Sequence, residues 1–155
     1  MLYWLKNKLI IVLTLIAIGA ISCSACKTNI TNNKGHSIVK VEMHLSALGV
    51  ESDNFPSIDA TIDFLADSSY CRKWFYNPIH KDSIYKLTKK EIRSLLTLID
   101  KSDFQNLKKE YTNSRSDQPS SKLIIYSTRD TLFFNDYGLE GAHPLKELYN
   151  IVYKY

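Results

Sequence analysis

Ile38-Val39-Lys40-Val41-Glu42-Met43-His44-Leu45 is the stretch from which the architecture is read. Val39, Val41, Met43 and Leu45 fall on one side of an extended chain, and Lys40, Glu42 and His44 on the other. A period of two with one apolar and one polar face describes a strand buried on one side only. After a loop at 49–56 the pattern returns, with Ile58, Ala60, Ile62 and Phe64 alternating against Asp59, Thr61 and Asp63. Asp67-Ser68-Ser69 reads as a turn, and Tyr70 to Tyr76 as a third strand that forms a hairpin with the second. Asn77-Pro78 ends it.

Downstream the period lengthens. Thr88-Lys89-Lys90-Glu91 has the spacing of a capping box, in which hydroxyl and carboxylate satisfy free amides at a helix start. Ile92, Leu95, Leu96 and Ile99 follow as one apolar stripe, so a helix is expected to end near Asp100. Phe104 and Leu107 are expected to pack from a short turn or helix. Residues 113–121 contain no hydrophobic side chain and read as a loop. Lys122 to Ser127 and Thr131 to Asn135 form a second hairpin around Thr128-Arg129-Asp130. Pro144 suits a first helical turn, before the amphipathic series Leu145, Leu148, Tyr149 and Val152. The order of three strands, helix, two strands, helix predicts an α+β domain with a largely antiparallel sheet and helices on one face. It lacks the regular strand–helix alternation of parallel nucleotide-binding sheets.

The N-terminus has a different character. Lys6 and Lys8 precede an uncharged run, Leu9 to Ile21, whose 13 residues include only Thr14 and Gly19 as non-hydrophobic members. That length fits a signal-peptide core of roughly 7–15 residues and falls short of the roughly 20 that span a bilayer. An uncleaved anchor reaching back to Met1 would have to absorb Lys6, Asn7 and Lys8. Ala20-Ile21-Ser22-Cys23 at the end of the run resembles the bacterial lipobox, with Ala20 and Ile21 as departures from its usual residues. The resemblance implies a lipid on the Cys23 thiol, cleavage before it, and acylation of the new amine. The chain then divides into a signal peptide at 1–22, a lipidated polar tether at 23–37 and a single domain at 38–155. Cys26 is the rival lipidation site, though it would put Cys23 where the pattern wants Leu. Several acyl chains, each methylene contributing roughly 0.8 kcal/mol, make such anchoring effectively permanent. Ser24 rather than Asp after the cysteine resembles lipoproteins that proceed to an outer membrane, with the domain in the periplasm or at the cell surface. Lys27 to Ser37 is polar and turn-prone, and fully extended would span about 35 Å.

Cleavage before Cys23 leaves 133 of the 155 residues, enough for one core. Without Lys6 and Lys8, the 20 Lys and Arg become 18 against 16 Asp and Glu. So small an excess gives no nucleic-acid-binding surface. With Cys23 lipidated, Cys26 and Cys71 remain. They can bridge in an oxidising envelope, but Cys71 in a strand reads better as a buried free thiol.

From Leu87 onward the chain resembles a family of uncharacterised domains found in small bacterial envelope lipoproteins. The residues that carry this are Leu87-Thr88-Lys89-Lys90-Glu91, Asp103-Phe104, Leu107, Tyr111, Asp117-Gln118-Pro119, Tyr137-Gly138 and Pro144. The hairpin from Ile58 to Tyr76 also fits, although it lacks the Cys-Pro pair and glycine turn common there. The resemblance implies fold and compartment, and no activity.

Candidate sites are few. His36, His44, His80 and His143 are scattered, none at metal-ligand spacing from another His or Cys, so no metal and no cofactor is expected. His80-Lys81-Asp82 reads as a solvated turn. No nucleophile elbow or Ser-x-x-Lys motif occurs. Cys71 has Arg72 and Lys73 beside it, but neighbours on a strand point to opposite faces. Asp59 and Asp63 share a face at roughly 13 Å, too far apart for a glycosidase pair. No catalytic residue is assigned. Aromatic residues are the more informative excess: Tyr70, Trp74 and Tyr76 fall on one face with Arg72. Exposed, that face is a platform for a glycan or protein; turned to the helices, it is core. Asp117, Gln118 and Pro119 form either a binding loop or a structural turn. The leading expectation is a non-catalytic binding module in the cell envelope, held to a membrane by lipid and facing an envelope protein or cell-wall glycan. Alternatives are a small hydrolase or glycan-modifying enzyme, and an inhibitor-like or immunity lipoprotein that plugs a cleft with 113–121.

Overall fold

A computed structural model describes residues 37–47, 50 and 54–154. The expected signal peptide at 1–22, the expected lipidation site Cys23 and its rival Cys26, His36 and nearly all of the expected tether at 23–37 lie outside the described residues. No helix among the described residues is long and apolar enough to cross a membrane.

Seven strands form one sheet: β1 (Ile38–Ser46), β2 (Ser57–Asp63), β3 (Ser68–Trp74), β4 (Ser83–Tyr85), β5 (Glu110–Tyr111), β6 (Ser120–Ser127) and β7 (Thr131–Tyr137). Their order across the sheet is β4-β3-β2-β1-β6-β7-β5. Every pairing is antiparallel except β5 with β7, so the sheet is mixed. Among the described residues two α-helices, α1 (Lys89–Lys101) and α2 (Leu145–Val152), complete an α+β fold.

Five strands were expected and seven are present. β4 spans three residues and β5 two, too short for any period to show in sequence. Each exists because a longer neighbour offers unpaired backbone groups: β3 at Cys71–Lys73, and β7 at Asn135 and Asp136. The third strand ends at Trp74 rather than Tyr76. The β2–β3 turn comes earlier than Asp67-Ser68-Ser69, because Asp63 Oδ1 accepts from the amides of Leu65 and Ala66, each at 2.9 Å, and closes the chain at once. Asp67 then takes a left-handed backbone (φ 47°) that leads into β3.

The capping box at Thr88 forms in both directions: Thr88 Oγ1 accepts from the Glu91 amide and Glu91 Oε2 accepts from the Thr88 amide at 2.6 Å. Ile92, Leu95 and Ile99 of α1, with Leu145, Leu148, Tyr149 and Val152 of α2, bury against one face of the sheet. That face contributes Val41, Met43, Leu45, Ile58, Ala60, Ile62, Cys71, Leu123, Ile125 and Phe134. The alternate residues of the same strands point the other way, and among the described residues no helix covers them.

One polar cluster lies within this core. Asp136, 1 % exposed, accepts from the amides of Glu140 (2.8 Å) and Gly141 (2.9 Å) and from the Tyr149 hydroxyl (2.8 Å). Tyr149 stacks on Tyr153 at 5.5 Å, and the Tyr153 hydroxyl meets Ser121 Oγ at 2.6 Å. This chain of contacts fixes α2 to the ends of β6 and β7. A side chain at Gly141 would meet Asp136 Oδ2 at 2.7 Å, so glycine is what lets the loop close over the carboxylate.

Candidate functional site

Alternation along β3 decides what the sequence left open. Cys71 is fully buried, while Tyr70 (48 % exposed), Arg72 and Trp74 lie on the uncovered face of the sheet. Burial pushes the Cys71 thiol up to about 11, and it shares a hydrogen bond with Tyr85, which makes it an inert core group. Arg72 carries the patch. Its Nη2 reaches Asp82 Oδ2 at 3.3 Å, and its guanidinium lies 5.4 Å from the centre of the Trp74 ring. Ile84 pairs with Arg72 across the β3–β4 ladder and so shares its face, 64 % exposed. Tyr76 lies past the strand end in the following loop, 94 % exposed, with Ile79 exposed nearby in sequence. It therefore flanks the strand platform instead of belonging to it.

A polar ladder continues from Arg72 across the same face. Asp59 stands opposite Arg72, His44 opposite Asp59, and Lys122 opposite His44. His44 Nδ1 and Asp59 Oδ1 are 2.6 Å apart. One residue pair along, the Tyr126 hydroxyl donates to Glu42 Oε2 at 2.7 Å and Lys40 Nζ donates to Glu42 Oε1 at 2.8 Å. Hydrogen bonds from Lys40 and Tyr126 hold the Glu42 carboxyl below its ordinary range, and the bond to Glu42 raises the Lys40 ammonium in turn. These are exposed pairs on a pleated surface.

Other sequence candidates are placed apart from one another. Asp63 caps the β2–β3 turn while Asp59 pairs with His44. His80 Nε2 meets Asn54 Oδ1 at 2.7 Å and its ring lies 4.9 Å from Phe75, while His143 pairs with Glu147 at 2.9 Å. Among the described residues no group of three His, Cys, Asp or Glu could hold a metal. Asp117, Gln118 and Pro119 bind the chain to itself. Asp117 is left-handed (φ 57°), the Gln118 amide donates to the Tyr137 hydroxyl at 3.2 Å, and the Gly138 amide donates to the Pro119 carbonyl at 2.8 Å. Three strand spacings, about 14 Å, separate β6, where that loop ends, from β3. The loop and the aromatic patch are therefore separate features.

Ile84 is the site residue that sequence reading missed. The signal was slight: a β-branched and an aromatic residue together in Ser83-Ile84-Tyr85. Only pairing with β3 puts Ile84 beside Arg72.

Comparison with known proteins adds one finding. Residues 54–155 match the family described as Domain of unknown function (DUF6438). No curated protein and no solved structure matches the chain.

Proposed function

The chain belongs to the family described as Domain of unknown function (DUF6438), and from its own residues we propose that it is a lipid-anchored envelope protein whose domain is a non-catalytic binding module. The observation that carries this is the uncovered sheet face at β3 and β4, where exposed Tyr70, Arg72 and Ile84 share a face with half-buried Trp74. Aromatic rings beside a guanidinium are the side chains that most often dominate binding energy, because they bury large rigid surfaces at low entropic cost. A flat face of this kind suits an extended partner, either an envelope protein or a cell-wall glycan. The uncharged run before Cys23 supports the anchor, and Cys23 supplies the thiol that a diacylglycerol transfer needs.

Crosslinking and pull-down from membranes, together with sedimentation on purified cell-wall glycan, test the binding reading. Trp74→Ala is expected to lose the partner by a factor of about 30, the equivalent of about 2 kcal/mol. Unchanged capture by the variant would remove the platform from consideration. Metabolic labelling with an alkyne fatty acid tests the anchor: Cys23→Ser is expected to lose the label, and retention through Cys26 would overturn the assignment.

A further inference from the structure

Registers place five strand ends together: β1, β3 and β7 begin, and β2 and β6 end, at one end of the sheet. α1 lies across that end. Its first turn is held there by the Leu87 amide donating to Ser69 Oγ at 2.7 Å and by Lys89 Nζ at 3.2 Å from Asp67 Oδ2. Its last turn, at Ile99, lines a small cavity with Ile38, Ile125 and Leu132. The tether enters at the same end, where the Ser37 carbonyl accepts from the Thr128 amide at 2.9 Å. The chain thus arrives from the N-terminus beside α1.

Away from the core, α1 presents Lys90, Arg93, Thr97 and Lys101, spaced by three and four residues and all exposed. With His143 these line a shallow open groove of 750 Å³, and no carboxylate is among its lining residues. Acids around the groove are paired: Glu147 at its edge with His143 at 2.9 Å, Glu91 with Lys154 at 2.7 Å, and Asp67 with Lys89 at 3.2 Å. In the β2–β3 turn, whose Asp67 pairs with Lys89 of α1 at 3.2 Å, Leu65 is an apolar tip 77 % exposed.

We propose that this outer stripe of α1, Lys90, Arg93 and Lys101 with Leu65 at its edge, docks the domain onto the anionic headgroups of the membrane that holds its lipid. The inference rests on the anchor at Cys23 proposed above. Thirteen residues lie between Cys23 and Ser37. That length confines the domain to within about 50 Å of the bilayer and makes its surface contacts effectively intramolecular. Clustered Lys and Arg are attracted to acidic headgroups over about a Debye length, and an exposed leucine can enter the interface between them. Docked on α1, the domain leaves the Tyr70–Trp74 face, on the opposite side of the sheet, free for its partner.

The test uses the mature lipoprotein purified from membranes, with Cys26→Ser and with Leu65→Cys bearing an environment-sensitive fluorophore. It is reconstituted into vesicles of phosphatidylcholine alone or with phosphatidylglycerol. The expected result is a blue shift on the anionic vesicles only, reversed by high salt. In Lys90→Glu, Arg93→Glu, Lys101→Glu the docked fraction should fall on the order of a hundredfold while the protein still floats with the vesicles. The neutral set Lys90→Gln, Arg93→Gln, Lys101→Gln should fall between. Flotation without a shift, or an equal shift on both vesicles, overturns docking and leaves the anchor standing. Failure to float overturns the anchor and the docking with it. A shift produced by polyglutamate but not by phosphatidylglycerol assigns the stripe to an acidic protein and overturns the proposal.

Discussion

Single residues set the chemistry of this domain. Cys71 sits in the core with its thiol pushed up to about 11, so at neutral pH it is protonated and shielded. Maleimide is expected to leave Cys71 unmodified in the folded protein and to react within minutes in denaturant; mass spectrometry of the Cys71 peptide reads the difference. Asp136 is a buried carboxyl group on which three donors converge. Removing it strands two amides and a hydroxyl away from water. Asp136→Ala is expected to cost about 3 kcal/mol of unfolding free energy, and Tyr149→Phe only about 1, because the two amides then keep their acceptor. Urea titration of both variants measures the gap. Equal losses would mean that Asp136 acts through Tyr149 alone.

At the scale of elements, α1 is specified at its start more firmly than at its end. Glu91 closes the capping box and also takes Lys154, whose hydrogen bond is the larger cause of a carboxyl drawn down to about 2 from an ordinary 4.5, ahead of the bond from the Thr88 amide. A carboxyl lowered in the folded state stabilises fully above the unfolded value and stops doing so as pH falls through the folded one. Stability is therefore expected to decline between pH 4.5 and 2. Lys154→Ala is expected to be less stable near neutrality by about 1 kcal/mol, since both partners are about a third exposed and screened, and to show a shallower acid decline. Denaturant midpoints at neutral pH and in acid check both. This element was legible because Thr88 and Glu91 act within one turn. β4 and β5 were not, because three and two residues carry no period and acquire their structure only from β3 and β7.

For the whole molecule, one face of one sheet is covered and the other is not. Core and open face are expected to respond differently to the same kind of truncation. Leu95→Ala, at a fully buried site under the sheet, should cost about 3 kcal/mol. Ile84→Ala, on the uncovered face, should stay within about 0.5 kcal/mol. Thermal melts of the two variants decide whether binding, rather than folding, keeps an isoleucine there. Sequence alone determined the polarity of β1 and β2, the cap and stripe of α1, and the separation of an apolar N-terminal run from the polar residues that follow it. Each depends on neighbours within a few residues, where the period of the backbone fixes which side chains share a face. Tertiary structure alone decided that Tyr70, Arg72 and half-buried Trp74 lie on the uncovered face, that Ile84 joins them, that Tyr76 and the 117–119 loop stand apart from that patch, and that α1 crosses the end of the sheet where β1 begins. Those facts depend on which strands pair and which face the helices cover, and such contacts join residues far apart in the chain.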